Sequence, residues 1–324
     1  MRQFRYRFGP GPTWLCALLL LGVASASSSA YAQAPGGQVV DRAQLLRSQP
    51  TLRHDPYEAV TGTDANHAEA SPNDPDLGEQ AILKRQEHYR AFTVSVASPI
   101  FYTSNVALVR TGEEDDVIFA PEIGITYAPR LTRTLYATVA LEQQQFYYSR
   151  FGELDFGSFD ARLGLAYHIP QFRNLLLRAE YNYNRLTADG FDEFFSDHSI
   201  FLNAELPFRI GRAQQFALGT SAKVAIDTAP EQPGRHDFEA YVGYSANLTR
   251  SLTATAVARI AVRDYVEGER TDVSEVLALG ATYRFTKWLS ASATSTLAWN
   301  QSDEDVFEYD VANVGAALAF SYRF

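Results

Sequence analysis

From about residue 89 to the end of the chain, large apolar side chains recur at every second position, with small or polar residues between them. In RLGLAYHI, Ala161, Leu163, Leu165 and Tyr167 fall on one side, and Arg162, Gly164 and Ala166 on the other. NLLLRAEYNYN sets Leu175, Leu177, Ala179, Tyr181 and Tyr183 against Arg178, Glu180, Asn182 and Asn184. ASATSTLAWN sets Ala291, Ala293, Leu297 and Trp299 against Ser292, Thr294, Thr296 and Asn300. A period of two is that of a β-strand with one apolar and one polar face. The alternation predicts twelve strands, near residues 90–102, 116–128, 133–148, 157–168, 174–186, 198–209, 214–227, 237–248, 250–264, 273–285, 287–300 and 309–324. Strand plus connection takes about twenty residues, which suits membrane strands of ~9–11 residues.

The connections alternate as well. Short turns (APRLTRT, HIPQFRN, RIGRAQQ, NLTRS, RFTKW) follow the even-numbered segments, and longer polar loops such as LTADGFDEFFSDH and NQSDEDVFEYD follow the odd ones. The short turns carry Arg130, Arg133, Arg173, Arg209, Arg212, Arg250, Arg284 and Lys287 and no acid, whereas every long loop is net acidic. This describes an up-and-down meander with a basic short-turn rim and an acidic long-loop rim.

A soluble meander would pack its apolar face inside, whereas a membrane barrel turns that face to lipid and lines its lumen with the polar one. Here the polar face carries Gly164, Gly243, Gly280, Ser290, Ser292 and Gly315 beside Arg162, Arg178, Glu180 and Arg259. Aromatic residues gather at both strand ends: Tyr127, Tyr167, Phe208, Tyr283, Phe285, Trp288, Tyr322 and Phe324 near the short turns, and Tyr147, Tyr148, Phe151, Tyr183 and Trp299 near the long loops. Such paired girdles mark the two interfaces of a bilayer span. The all-β reading is therefore a transmembrane antiparallel barrel over residues 89–324.

The first 88 residues differ. Arg2, Arg5 and Arg7 precede a short apolar run over 14–23, and Ala30-Tyr31-Ala32 offers an A-x-A cleavage site, with a cut after Ala26 as the alternative. Residues 1–32 thus predict a secretory signal peptide whose apolar run is too short to span a bilayer. Its removal takes away the single cysteine, Cys16, so no disulfide is expected. It also takes three arginines and no acid from a formal charge of −10, leaving −13. That balance argues against nucleic acid as a partner. Residues 33–88 are rich in proline and mixed charge without a sustained apolar period, and predict a mostly flexible periplasmic extension. A short helix over 77–89 and a small folded plug are the structured alternatives for this stretch.

The signal peptide, the even run of amphipathic strands and a last strand ending Tyr322-Arg323-Phe324 resemble bacterial outer-membrane β-barrel proteins. In that family a C-terminal aromatic residue is read by the outer-membrane assembly machinery, which implies an insertion signature at Phe320, Tyr322 and Phe324. The resemblance further implies outer-membrane lipid and lipopolysaccharide as surroundings, with both termini and the short turns in the periplasm and the long loops outside.

Relatives of that class include a phospholipase with Ser and His two apart on one strand face. His198 and Ser199 are adjacent, so they point to opposite faces. Omptin-type proteases use paired Asp and an Asp-x-His. Asp303 to Asp305 offers the first half, but Asp197-His198 lacks the spacer. No enzyme is expected, with a surface lipase or protease as the weakest alternative, and no cofactor or metal is implied by any spacing. The acidic loops read either as solvated faces bridged to lipopolysaccharide phosphates by divalent cations or as a cation-attracting mouth.

By parity the lumen is lined by Glu122, Glu142, Asp160, Arg162, Arg178, Glu180, Asn182, Asn203, Glu205, Lys223, Glu239, Arg259 and Arg263. These charges read either as a paired ladder filling the interior or as the constriction of a narrow channel, because twelve strands lie between filled eight-stranded barrels and open porins. The expected function is a passive channel for small hydrophilic solutes. The alternative is a non-conducting structural, adhesion or export-accessory barrel acting through its loops or through a periplasmic partner of residues 33–88.

Overall fold

The structure is a computed structural model and describes residues 36–47, 90–188, 192–210 and 213–324. The expected signal peptide, the expected helix over 77–89 and the rest of residues 48–88 lie outside the described residues.

Thirteen strands form one sheet that closes on itself. They are β1 (Phe92–Thr103), β2 (Asp116–Phe119), β3 (Glu122–Tyr127), β4 (Leu135–Tyr148), β5 (Phe156–Ile169), β6 (Leu175–Thr187), β7 (Glu193–Ile210), β8 (Gln214–Ala229), β9 (Arg235–Asn247), β10 (Leu252–Tyr265), β11 (Thr271–Arg284), β12 (Leu289–Ser302) and β13 (Tyr309–Arg323). Every pairing in the sheet is antiparallel, and β13 returns to pair with β1 from Thr93↔Arg323 to Thr103↔Asn313. β2 and β3 are two halves of one stave. They keep a single register against β1, with Ile100 opposite Phe119 and Ala97 opposite Glu122, and the ladder breaks at Pro121, which has no N–H to donate. The barrel therefore has twelve staves, as the alternation predicts. Closure leaves no free edge between β13 and β1.

The two faces have the inverted polarity. Val96, Ile100, Ile123, Leu141, Leu163, Leu202, Leu277, Leu318 and Phe320 are large apolar side chains exposed on the outside. Their strand neighbours Thr138, Glu142, Asp160, Asn203, Ser292, Thr294 and Thr296 are buried on the other face. Backbone pairing around the ring satisfies the main-chain polar groups without water, which a hydrocarbon surround requires.

Among the described residues, one α-helix accompanies the ring: α1, Gly36–Arg47. Val40, Ala43, Leu45 and Leu46 are all buried in it. Val40, Ala43 and Leu46 pack with Phe101, Phe146, Phe156, Leu186 and Phe195, while Leu45 packs with Leu108, Val276, Ala298, Tyr309 and Val311. These partners come from β1, β4, β5, β6, β7, β11, β12 and β13, nearly the whole circumference, so α1 lies across the lumen at the long-loop end. Within the stretch expected to be a mostly flexible extension, residues 36–47 form this helix. A twelve-residue helix is marginal alone in water, and this one is held by the ring around it. The loop over 103–116 also turns inward rather than standing as a polar loop, burying Asn105, Val106 and Leu108. Asn105 Nδ2 donates to the carbonyls of Val109 and Asp310, at 2.7 and 3.0 Å, which pins the loop to the end of β13.

Candidate functional site

The candidate site is the interior of the ring, which has two zones. Of the thirteen polar residues that parity assigns to it, Glu122, Glu142, Asp160, Glu180, Asn203 and Arg263 are buried. Arg162, Arg178, Asn182, Glu205, Lys223, Glu239 and Arg259 are half-buried.

The middle zone is a cavity of about 330 Å³ lined from β6 to β10. The structure brings Arg178, Asn203, Lys223, Glu239 and Arg259 together around it, and adds Phe201, Ser221, Asp237 and Tyr241. Tyr241 is central. Its hydroxyl donates to Glu205 Oε2 at 2.7 Å and accepts from Asn203 Nδ2 at 3.1 Å. Lys223 Nζ is 2.8 Å from Asp197, whereas Arg259 stands 3.8 Å from Glu239, a loose pair. Glu142 and Arg162 pair at 3.3 Å on β4 and β5, outside the cavity lining. Asp160 accepts from Asn184 Nδ2 at 3.2 Å. Parity places Phe201, Asp237 and Tyr241 on the same face as Asn203 and Glu239. The signal for them is present in the sequence, but the expected lining takes in only charged and amide side chains of the strands, which leaves out Phe201 and Tyr241 and sets Asp237 with its long loop.

The second zone is the mouth, where α1 presents Asp41 and Arg42. Asp41 is buried and accepts a hydrogen bond from the Arg235 guanidinium, with Arg263 at 3.8 Å and Arg270 at 3.6 Å. Arg235 also lies 2.8 Å from Asp237, and Arg270 donates to Asp272, through Nε at 2.9 Å. The Arg270 guanidinium sits between the rings of Tyr265 and Phe307, at 4.0 and 3.5 Å from their centroids. That sandwich fixes its plane toward Asp41. Arg42 donates to the Val106 carbonyl at 2.9 Å and lies over Tyr148. Tyr148 and Phe151 therefore face the helix and not the lipid, a correction to the expected long-loop girdle; Tyr147 and Trp299 stay exposed on the outside.

Inward apolar residues at the loop ends of the strands, Phe101, Phe146, Phe156 and Phe195, were the sequence signal for an occupant of the mouth. A water-filled lumen has no use for them.

The residues weighed for hydrolysis are not assembled. His198 Nδ1 is 2.5 Å from the exposed Tyr181 hydroxyl, while Ser199 is buried on the other face, donating to Asp197 at 3.2 Å. Among the described residues, no group of three His, Cys, Asp or Glu side chains is placed to hold a metal ion.

A closed ring with an apolar exterior and a charged interior defines a membrane-spanning β-barrel. Comparison with known proteins gives the same class. The family model described as "Putative beta-barrel porin 2" matches residues 191–322, which span β7 to β13. An outer membrane channel from Pseudomonas putida F1 superposes with a TM-score of 0.51 at 10% identity, covering 72% of this chain and 96% of that one. The beta domain of a Bordetella autotransporter (TM-score 0.44, 12% identity, 72% and 100% covered) and the KdgM porin in complex with disordered oligogalacturonate (TM-score 0.40, 5% identity, 70% and 99% covered) are also similar. No curated protein matches. The chain therefore has the fold of the outer-membrane β-barrels, and its β7–β13 half matches a porin-family model.

Proposed function

We propose that the barrel is a narrow passive channel for small hydrophilic solutes, with α1 as a plug at one mouth. The observation that supports this most strongly is the charged cavity lined by β6–β10. A filled structural barrel would close such a space with paired side chains, because an unpaired buried charge is strongly disfavoured. Here Arg178, Lys223 and Arg259 with Asp237 and Glu239 line a space that their side chains leave open. In the orientation implied by the resemblance, the short turns and both termini face the periplasm and the long loops face outward. α1 then closes the outer mouth. Phe320, Tyr322 and Phe324 would be the residues read by the assembly machinery, and the lipid and lipopolysaccharide layers would contact the apolar belt and the acidic loops.

The reading is tested in planar bilayers. The full chain should give small or rare conductance steps, and a variant lacking residues 36–47 should give larger and longer ones. If the deleted variant inserts as a folded, heat-modifiable barrel and the bilayer stays sealed, the channel reading fails. The specific observation favouring the second reading, a non-conducting barrel, is the packing of α1 against nearly every stave. In that case residues 33–88 would serve a periplasmic partner or fold as part of the barrel itself.

A further inference from the structure

The mouth contains a pattern that neither a structural plug nor a channel wall requires. Arg235, Arg263 and Arg270 converge on one carboxylate, that of Asp41, and the Tyr265 hydroxyl lies 3.3 Å from it. A single salt bridge would serve to anchor a helix. Three guanidinium groups around one carboxylate, one of them clamped between two aromatic rings, form a recognition site for an anion.

The charge balance points the same way. Facing the three arginines from the surrounding strands are Asp237 and Asp272, which pair with Arg235 and Arg270. Asp41 supplies the third negative charge. Lift α1 away and the ring side of the site keeps one positive charge in excess, half-enclosed at the end of a lumen. A buried excess of that kind favours an anion from solution. The helix holding Asp41 is also conditional. It is twelve residues long, starts on Gly36-Gly37 and has no acidic residue in its first turn, so its helicity depends on being seated.

We infer that Arg235, Arg263 and Arg270, with Tyr265, form a carboxylate-binding site at the barrel mouth, that Asp41 occupies this site from within the chain, and that small organic carboxylates and α1 compete for it. The inference deepens the channel reading by naming its solute class and its gate, and it rests on that reading only for what happens after the plug leaves. Binding and seating are coupled whether or not solute then crosses. Reciprocity requires that whatever displaces Asp41 loosens α1, and that whatever weakens the Asp41 contact strengthens binding of the free anion.

The test uses the full chain in detergent micelles with nitroxide labels at Gln38→Cys and Lys287→Cys, in a Cys16→Ser background, so that the helix-to-turn distance reports seating. Citrate should convert the seated distance population into a displaced one. Sodium chloride at matched ionic strength and glucose should not, which separates recognition from screening. Asp41→Asn should lower the citrate concentration for half-displacement at least about tenfold. Arg235→Gln with Arg270→Gln should abolish the citrate response. If citrate does no more than sodium chloride in the wild-type chain, the inference is overturned, and this holds even where Asp41→Asn fails to fold. Parallel bilayer recordings keep the two readings distinguishable. Citrate displacement without current leaves the carboxylate site standing and removes the channel, whereas current insensitive to citrate does the reverse.

Discussion

Asp41 and Arg235 form an ion pair that closes 194 residues of chain, and each side chain is only 2% exposed. It is the most deeply buried of the ion pairs between α1 and the ring. Breaking a buried pair from one side is costly because the remaining charge stays buried without compensation. Asp41→Ala should weaken the docking of α1 by roughly 3–5 kcal/mol, while replacing both partners with apolar residues costs far less. The check is hydrogen exchange of residues 36–47. It should rise steeply in Asp41→Ala and recover in Asp41→Leu with Arg235→Met, with the barrel's heat-modified mobility unchanged in both. Equal protection in wild type and Asp41→Ala would mean that the apolar contacts alone hold the helix.

That pair also shows where sequence reading stops. The staves were legible because each carries its own evidence: period two is local, and Leu163 beside Arg162 states which way the strand faces. α1 carries almost none. GGQVVDRAQLLR opens on two glycines with no acidic residue in its first turn and carries only a weak apolar stripe, and its partners are scattered from Phe101 to Val311. Only the assembled ring brings Phe101, Phe146 and Phe195 to one place, so the plug is a property of closure. The inward turn of the loop over 103–116 was missed for the same reason. Val106 and Leu108 look like two apolar residues in a polar loop until a buried helix lies beneath them.

Gly219 lies opposite Tyr241 on the neighbouring strand, and a Cβ built there would collide with the tyrosine ring. The glycine lets that ring lie flat enough for its hydroxyl to reach Glu205. Gly219→Ala should push Tyr241 into the cavity, costing about 1–3 kcal/mol in unfolding free energy. In bilayers it should lower conductance relative to the parent in a background lacking residues 36–47. An unchanged conductance would mean that Tyr241 does not border the path.

The seam between first and last strands ends on Phe324, whose N–H donates to the Phe92 carbonyl at 2.9 Å while the two rings lie 5.6 Å apart. Phe324→Asp keeps the hydrogen bond but places a charge at the interface, where a lipid-facing apolar ring belongs. A smaller heat-modifiable fraction after refolding into vesicles, by several-fold, is the expected outcome. A larger defect in cells than in vesicles would reveal recognition of the residue by the assembly machinery beyond its packing.

Two loop acids give a pH dependence. Glu267 is fully solvent-exposed, and its hydrogen bond to Glu231 pushes its carboxyl above the usual carboxylate value. A raised folded value means that the contact contributes below the ordinary Glu pKa of about 4.3 and is lost as pH rises through the folded value. The same two loops meet where the Val266 amide donates to the Gly234 carbonyl at 2.9 Å. Exchange of that amide, corrected for its intrinsic rate, should be slower near pH 4 than near pH 7. A flat corrected profile would show that the two glutamates do not couple the loops.

The charged lining sets a sign for ion selectivity. Around the cavity stand Arg178, Lys223 and Arg259 against Asp237 and Glu239, a lining with one positive charge in excess. Because low-dielectric walls focus the field of such a lining, a change of one or two charges should move the preference of a narrow lumen. Opened by removal of residues 36–47, the barrel should prefer anions weakly. Arg259→Glu changes the lining by two charges and should turn that preference toward cations, while Glu239→Gln should strengthen the anion preference. Reversal potentials across a potassium chloride gradient read both signs. Lys223 is the poorer choice for reversal because it holds the buried Asp197 at 2.8 Å. Shifts of the same sign from Arg259→Glu and Glu239→Gln would place the ion path away from this cavity.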